Sequence, residues 1–253
     1  MAAVEGLTVA PVKALATVPR QRVRLEEQGV AEDRRLFLAH ADDSVATLRH
    51  HPELTRVVPD LDLPERKLRV TLPDGTTATS SLDSTGRRLE SRIFGKDRSG
   101  HVLDGPVADA LSHHVGRSLR VVLAEGGGIG WDEGPVSLLG TASVADVLPP
   151  EVPGVGRFRM LVELGDTEPY EEDTWVGRRV RLGGALVRVT HSLKRCVVMN
   201  HSPVSGARDR NVLRGLVARR GRDLMCLGVI AEVVRPGDVA LGDPVEVTSG
   251  GSE

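Results

Sequence analysis

The chain contains few aromatic residues, few cysteines and little net charge. Aromatic side chains make up only 2% of its 253 residues, and the two cysteines are Cys196 and Cys226. Since 40% of the chain is hydrophobic, valine, leucine and alanine must supply most of a buried core. Two cysteines do not make a disulfide framework, so we expect both to be free thiols.

The balance of charge argues against two kinds of partner. The chain has 33 Lys and Arg against 35 Asp and Glu, a formal net charge of -2. Proteins that bind nucleic acid or anionic membranes usually present a basic face, and this composition offers none. No apolar run approaches the roughly 20 residues that span a bilayer, and the first residues lack a signal-peptide pattern. We therefore expect a soluble, cytoplasmic protein with no nucleic-acid or membrane partner.

Short alternating runs predict a mainly β fold. Residues 178–182 and 185–190 alternate in polarity and are joined by Gly183-Gly184, which indicates a hairpin because primed turns need positive φ. The other predicted strands are residues 7–10, 23–25, 35–39, 68–72, 76–80, 119–123 and 196–199, followed by a meander of 228–234, 239–241 and 245–247. Many short strands separated by glycine turns predict a closed β barrel.

Two helices and one linker complete this pattern. Residues 107–115 follow Gly105-Pro106, and a proline in the first turn suits a helix start. Residues 209–220 form the clearest helix, which Asp209 can cap and Gly221 can end. Residues 124–136 are rich in glycine and interrupt the strands, so we interpret them as a linker between two domains. Their glycines do not fit the dinucleotide-binding spacing G-x-G-x-x-G.

Cys196 is the residue most suited to chemistry. Lys194 and Arg195 precede it directly, and a neighbouring cation favours the thiolate, the form that binds soft metals or carries sulfur. The alternative is a buried structural cysteine, and Cys226, in an apolar run, is assigned to the core. The spacing of histidines and cysteines does not predict a protein-built zinc site, and no iron–sulfur motif occurs.

Several segments occur together in an order typical of one family. They are Ala10-Pro11-Val12-Lys13, Asp33-Arg34-Arg35, Thr47-Leu48-Arg49, the stretch RFRMLVELGDTEPYEEDTWVG at 157–177, Arg195-Cys196, Ser205-Gly206 and the closing run GVIAEVVRPGDVALGDPVEV. In this order the chain resembles the MOSC family, named after the C-terminal domain of molybdenum-cofactor sulfurase. The resemblance implies a MOSC N-terminal β-barrel domain at residues 1–123, a MOSC-type β barrel at 124–253 and a few short helices.

The resemblance also implies a cofactor and the residues that hold it. The cofactor is the molybdenum cofactor (molybdopterin), a pterin dithiolene carrying molybdenum. Cys196 would be the catalytic residue and the metal ligand. Lys13, Arg34 and Arg159 would bind the pterin's phosphate, and Thr141 and Ser143 would offer hydroxyl groups from the start of a helix. Arg195 is a further candidate for cofactor binding, although alternation along a strand would turn it away from Cys196 and make it structural.

The chain departs from the amidoxime-reducing branch of the family near the expected cofactor contacts. Ala14 stands where that branch has serine, and Met160-Leu161 stands where it has Pro-Asn. These changes remove polar side chains but leave Arg195-Cys196 intact.

Two functions follow from the resemblance. One is an oxidoreductase that reduces small N- or S-oxygenated substrates with Cys196 as molybdenum ligand. Electrons would then come from a separate protein, since the chain has no iron–sulfur motif. The alternative is a sulfur carrier that holds a persulfide on Cys196 for the maturation of a metal–sulfur cluster or cofactor.

Overall fold

The chain folds as a mainly β protein, as the sequence predicts. The computed structural model describes residues 1–93, 96–126, 133–152, 156–222 and 225–248. The first elements are β1 (Ala3–Val9), β2 (Val18–Pro19), β3 (Arg22–Leu25), β4 (Leu36–His40), β5 (Val58–Asp62), β6 (Lys67–Thr71), β7 (Thr77–Ser81), β8 (Ser84–Ile93), β9 (Lys96–Leu103), α1 (Pro106–Val115) and β10 (Leu119–Ala124). The remaining elements are β11 (Val136–Gly140), α2 (Thr141–Val147), β12 (Val162–Gly165), β13 (Arg179–Leu182), β14 (Ala185–Lys194), α3 (Val212–Arg220), β15 (Cys226–Arg235), β16 (Gly237–Ala240) and β17 (Val245–Thr248). Short 3-10 helices lie at Pro52–Arg56, Glu171–Trp175 and Val197–Asn200.

An eight-stranded sheet curls into a half-barrel. Its strand order is β17-β13-β14-β15-β11-β12-β1-β2. β1 also meets the β17 edge, where the Val4 amide donates to the Asp243 carbonyl at 2.9 Å and the Val245 amide to the Ala2 carbonyl at 2.8 Å. These bonds join the two sides of the curled sheet, which leaves few backbone groups unpaired at its edges.

The N-terminal strands are built into the sheet of the second half. β1 pairs antiparallel with β12, with Leu7 opposite Val162, and β3 pairs with β16, with Leu25 opposite Gly237. β2 pairs with β1 at the edge of the eight-stranded sheet, and the remaining strands of the first half form a four-stranded sheet, β4-β10-β9-β8, and a three-stranded sheet, β5-β6-β7. Because β1 crosses over, the loop that follows it lies against segments of the second half.

Aliphatic side chains fill the cores, as the composition predicts. The barrel interior packs Leu7, Val187 and Val229 around Trp175, and a second core packs Leu36, Leu68 and Leu111 beneath α1. Each fully buried aliphatic side chain of this size contributes roughly 1.5–3 kcal/mol relative to leaving it in water. These cores hold the surrounding loops in fixed positions.

Three predictions of secondary structure are wrong. Residues 196–199 are not a strand, because Met199 and Asn200 are both buried while Val197 is exposed, a pattern that alternation in a strand forbids. The helix predicted from 209 begins at Val212, since Asp209 forms an ion pair with Arg157 and the Asn200 Oδ1 accepts from the Leu213 amide at 3.0 Å instead. The closing strands are not a meander, since β15, β16 and β17 each pair with distant strands.

Two further observations concern the linker and the helices. Residues 127–132 of the predicted linker at 124–136 lie outside the described residues. Within the described ranges, no helix combines the length and the apolar character that crossing a membrane requires.

Candidate functional site

A cavity of about 340 Å³ lies where loops from both halves of the chain meet. Its wall is formed by the segment after β1, the turn before β4, the segment before β12 and the end of β14. Among the described residues, seven cations and two carboxylates line it: Lys13, Arg34, Arg49, Arg157, Arg159, Lys194 and Arg195, against Asp33 and Glu133. This excess of positive charge favours an anionic occupant.

Five of the cations are largely withdrawn from solvent. One of them, Arg157, is paired with Asp209, and we call the other four, Lys13, Arg34, Arg159 and Arg195, the cavity floor. The backbone here is unusual, since Ala14, Arg34 and Arg159 have positive φ angles of 75°, 51° and 56°. A residue with a Cβ costs on the order of 1 kcal/mol or more in this left-handed conformation. The fold therefore holds three points of the cavity wall in strained conformations, which are concentrated at functional sites in proteins.

Asp33 is the carboxylate of the floor, and it is already engaged. One of its oxygens accepts from Arg34 Nη1 and the other from the Ala10 amide, at 2.7 Å. Arg34 Nη2 donates to the carbonyl of Arg159 at 3.0 Å. The charge of Asp33 is therefore already compensated by Arg34.

Arg159 has an unsatisfied donor. Its Nη1 is buried and has no hydrogen-bond partner among the described residues. Burial, together with the charge of Arg34, lowers the pKa of Arg159 to about 9. A buried N–H without an acceptor costs free energy, and an oxygen of an anionic ligand would supply the missing acceptor.

Lys13 is the most deeply buried cation of the floor, with 7% of the residue exposed. Burial, together with the charges of Arg34 and Arg159, lowers its pKa from 10.5 to about 7. An anion bound in the cavity would offset both causes.

Cys196 faces this charged environment. It follows the end of β14, is half-buried and lines the cavity with the four floor residues. It interacts electrostatically with Lys13 and with Arg195. The alternative of a cysteine sealed in the core is therefore wrong for Cys196.

Arg195 both supports the wall and lines the cavity. Its Nη2 donates to the Phe158 carbonyl at 2.7 Å, and its guanidinium lies 5.4 Å from the centre of the Phe158 ring. Burial lowers its pKa to about 10. Because β14 ends at Lys194, the alternation of a strand does not separate Arg195 from Cys196, and the cavity brings both together.

Two family models match the sequence. The MOSC N-terminal beta barrel domain matches residues 1–118, and the MOSC domain matches residues 125–246. The chain belongs to the MOSC family. A search of the curated proteins finds no match to it.

Solved structures with a related fold include the YuaD protein of Bacillus subtilis and the YiiM protein of Escherichia coli. YuaD is 12% identical, with a TM-score of 0.47 over 98% of this MOSC chain and 96% of its own. YiiM is 18% identical, with a TM-score of 0.33 over 47% of this chain and 56% of its own. YiiM of Geobacillus stearothermophilus is 15% identical, with a TM-score of 0.31 over 46% of this chain and 54% of its own.

The sequence did not single out Arg157, which organises the segment after Cys196 in this MOSC chain. The buried guanidinium of Arg157 forms two hydrogen bonds of 2.9 Å with the Asp209 carboxylate. It also donates to the carbonyls of Met199 and His201, at 3.1 and 3.0 Å. We call this group, formed by Arg157, Asp209 and the two carbonyls, the loop support. Its partners are far apart along the chain, so no local pattern could have predicted it.

Thr141 and Ser143 are not brought together with the other predicted residues. Neither lines the cavity. The Thr141 hydroxyl donates to Glu5, and the buried Ser143 hydroxyl donates to Glu172 at 2.9 Å and accepts from the Tyr170 amide at 2.7 Å. Because these partners already use both hydroxyl groups, the geometry does not support their expected role in binding a cofactor in this cavity.

Proposed function

We propose that the cavity binds the molybdenum cofactor and that the protein is an oxidoreductase acting on small N- or S-oxygenated compounds. The observation that carries this proposal is that Cys196 lines the same cavity as the buried cations of the floor. A soft thiolate suits molybdenum, and the floor suits the phosphate of a pterin.

The residues present fit such a cofactor in charge and in hydrogen bonding. The buried Nη1 of Arg159 lacks a partner among the described residues, and a phosphate oxygen would supply one. Lys13 and Arg34 would add positive charge at the same place. Ala14, which stands where the amidoxime-reducing branch has serine, lines the cavity without offering a hydrogen-bonding side chain.

The protein's own residues would bind the cofactor, orient it and shield it from water. When bound, the molybdenum centre supplies two-electron chemistry toward an oxygenated substrate. Cys196 would ligate the metal, and Arg195, fixed by the Phe158 carbonyl, would hold positive charge beside the thiolate. Phe158, Met160 and Leu193 would restrict water on the apolar part of the wall. The proposal includes a separate electron-donor protein, because the sequence has no iron–sulfur motif.

The test is metal analysis of protein purified from a host that makes the cofactor. We expect near-stoichiometric molybdenum in the wild type and at least roughly tenfold less in Cys196→Ser. Cys226→Ser is the matched control. Cys226 is half-buried rather than part of the core, and it does not line the cavity, so this variant should keep its molybdenum.

Two outcomes would contradict the proposal. An equal molybdenum content in the wild type and in Cys196→Ser would show that Cys196 is not a metal ligand. A labile sulfane sulfur on Cys196 in protein that contains no molybdenum would favour the sulfur carrier instead.

A further inference from the structure

The mouth of the cavity has cations of its own, distinct from those of the floor. Arg49 and Lys194 line the cavity and are exposed to solvent, whereas Lys13 is buried. We call Arg49 and Lys194 the cavity rim. A molecule that enters from solvent meets the rim before it reaches Cys196 or the floor.

The charges of the rim are not neutralised by carboxylates of the described chain. Neither Arg49 nor Lys194 forms an ion pair with a residue in the described ranges. The carboxylate that lines the mouth, Glu133, lies 3.5 Å from His191 Nε2. A cleft with an excess of charges of one sign raises the local concentration of the opposite ion, by about tenfold or more at low ionic strength.

Part of the cavity wall is apolar. Leu48, Leu193 and Val198 line the cavity beside the rim cations. This combination suits an organic molecule with a small apolar body and one anionic group, since the body can contact the aliphatic wall while the anion stays near the rim.

We propose that the cavity rim selects anionic organic molecules, so that the substrate of this site is an N- or S-oxygenated compound with a carboxylate, sulfonate or phosphate group. The identity of the reaction rests on the proposed function. The charge selectivity is a property of Arg49 and Lys194 and can be measured without any cofactor.

The first experiment measures the selectivity on cofactor-free protein. Cys196 is alkylated with iodoacetate, which is anionic, and with iodoacetamide, which is neutral and of similar size, and the modified peptides are quantified by mass spectrometry. Glutathione in the same mixture is the reference for reagent activity, because Cys226 itself interacts electrostatically with Lys194. We expect the iodoacetate-to-iodoacetamide rate ratio at Cys196 to fall about threefold or more in the double variant Arg49→Gln, Lys194→Gln, and the wild-type ratio to fall with added salt.

Arg56→Gln is the matched control, since Arg56 is exposed, close to Arg49 in the chain and not part of the cavity wall. It should leave the ratio unchanged. A double variant with the wild-type ratio, or an equal change in Arg56→Gln, would overturn the proposal. Both rim residues are exposed, so their replacement leaves the cores intact.

The second experiment separates the two proposals. Molybdenum-loaded protein is assayed with a reduced dye on an aryl sulfoxide and on its carboxylate analogue. We expect the double variant to raise the KM for the carboxylate about fivefold or more relative to any change in the KM for the neutral substrate. Absence of turnover and of molybdenum in the wild type would reject the proposed function, while the alkylation ratio would still decide the charge selectivity. Equal KM changes for both substrates would reject the selectivity alone.

Discussion

Arg157 and Arg159 are two residues apart in the chain, and their surroundings differ sharply. In the loop support, Nη1 and Nη2 of Arg157 both donate to the Asp209 carboxylate, and Nη1 also donates to two backbone carbonyls. In the cavity floor, Arg159 lies near Arg34 and near Asp33, a carboxylate that already accepts from Arg34, and its buried Nη1 has no partner among the described residues. In the loop support, the charge of Arg157 is compensated within the protein. In the cavity floor, the Nη1 of Arg159 still lacks an acceptor among the described residues.

The difference distinguishes a charge that stabilises the fold, a structural charge, from a charge that is available to bind a ligand. A buried cation with a well-aligned carboxylate offsets its desolvation within the protein, whereas a buried cation beside other cations does not. The fold maintains the second arrangement although it also places Ala14, Arg34 and Arg159 in left-handed conformations. An anionic ligand would compensate the charge and supply the missing acceptor, so we infer that the floor is built for binding.

The largest effect is expected in the loop support. Asp209→Asn removes a charge that compensates the buried Arg157, and because Asp209 itself is 36% exposed, we expect it to lower the free energy of unfolding by roughly 1–3 kcal/mol. Urea denaturation measures this. Asp60→Asn is the control, because Asp60 pairs with Arg69 on the surface, where an ion pair contributes about 0–1 kcal/mol. Similar small losses in both variants would show that the loop support does not stabilise the fold.

The next prediction concerns Lys13 and pH. Its pKa in the folded protein is about 7, against an ordinary value of 10.5. Below pH 7 the side chain is charged in both states, and above 10.5 it is neutral in both. Between these values the unfolded chain binds a proton that the folded protein does not, so the free energy of unfolding rises with pH, by on the order of 1 kcal/mol per unit.

Lys13→Met should remove this rise in cofactor-free protein between pH 7 and 9. The measurement is urea denaturation across that range, with Lys67→Met as control because Lys67 is exposed and does not line the cavity. If Lys13→Met keeps the wild-type slope, then Lys13 does not contribute to it.

The sequence predicts the members of the floor better than their environment. Lys13, Arg34, Arg159 and Arg195 follow from the resemblance, and the cavity brings all four together with Cys196. The barrel strands could be predicted because alternating polar and apolar residues indicate a strand with one buried face. Arg157 and Asn200 were not, because their partners depend on which loops meet in the fold, and Asp209 was mistaken for a helix cap because a carboxylate before a helix has the same local pattern as one that pairs at long range.

Thr141 and Ser143 show that a correct prediction of local structure can still fail to predict a binding role. They begin α2 after Gly140, as a hydroxyl-rich helix start should. The local prediction was sound, but Glu5 and Glu172 already accept hydrogen bonds from these hydroxyl groups. A motif therefore predicts a chemical group and its local conformation, while neighbours brought in by the fold decide whether that group is free to bind a ligand.

The smallest change in stability is expected at Arg159. Arg159→Met removes the buried charge and the unsatisfied donor, but it keeps a Cβ at the same positive φ and leaves the Arg159 carbonyl able to accept from Arg34. We expect cofactor-free protein to be unchanged or more stable by about 1 kcal/mol. Molybdenum retention should nevertheless fall severalfold, because a phosphate contact is lost. Arg188→Met, at an exposed pair with Glu232, should change neither property. If Arg159→Met instead destabilises the protein as much as Asp209→Asn does, Arg159 is a structural charge, and the distinction between the two regions fails.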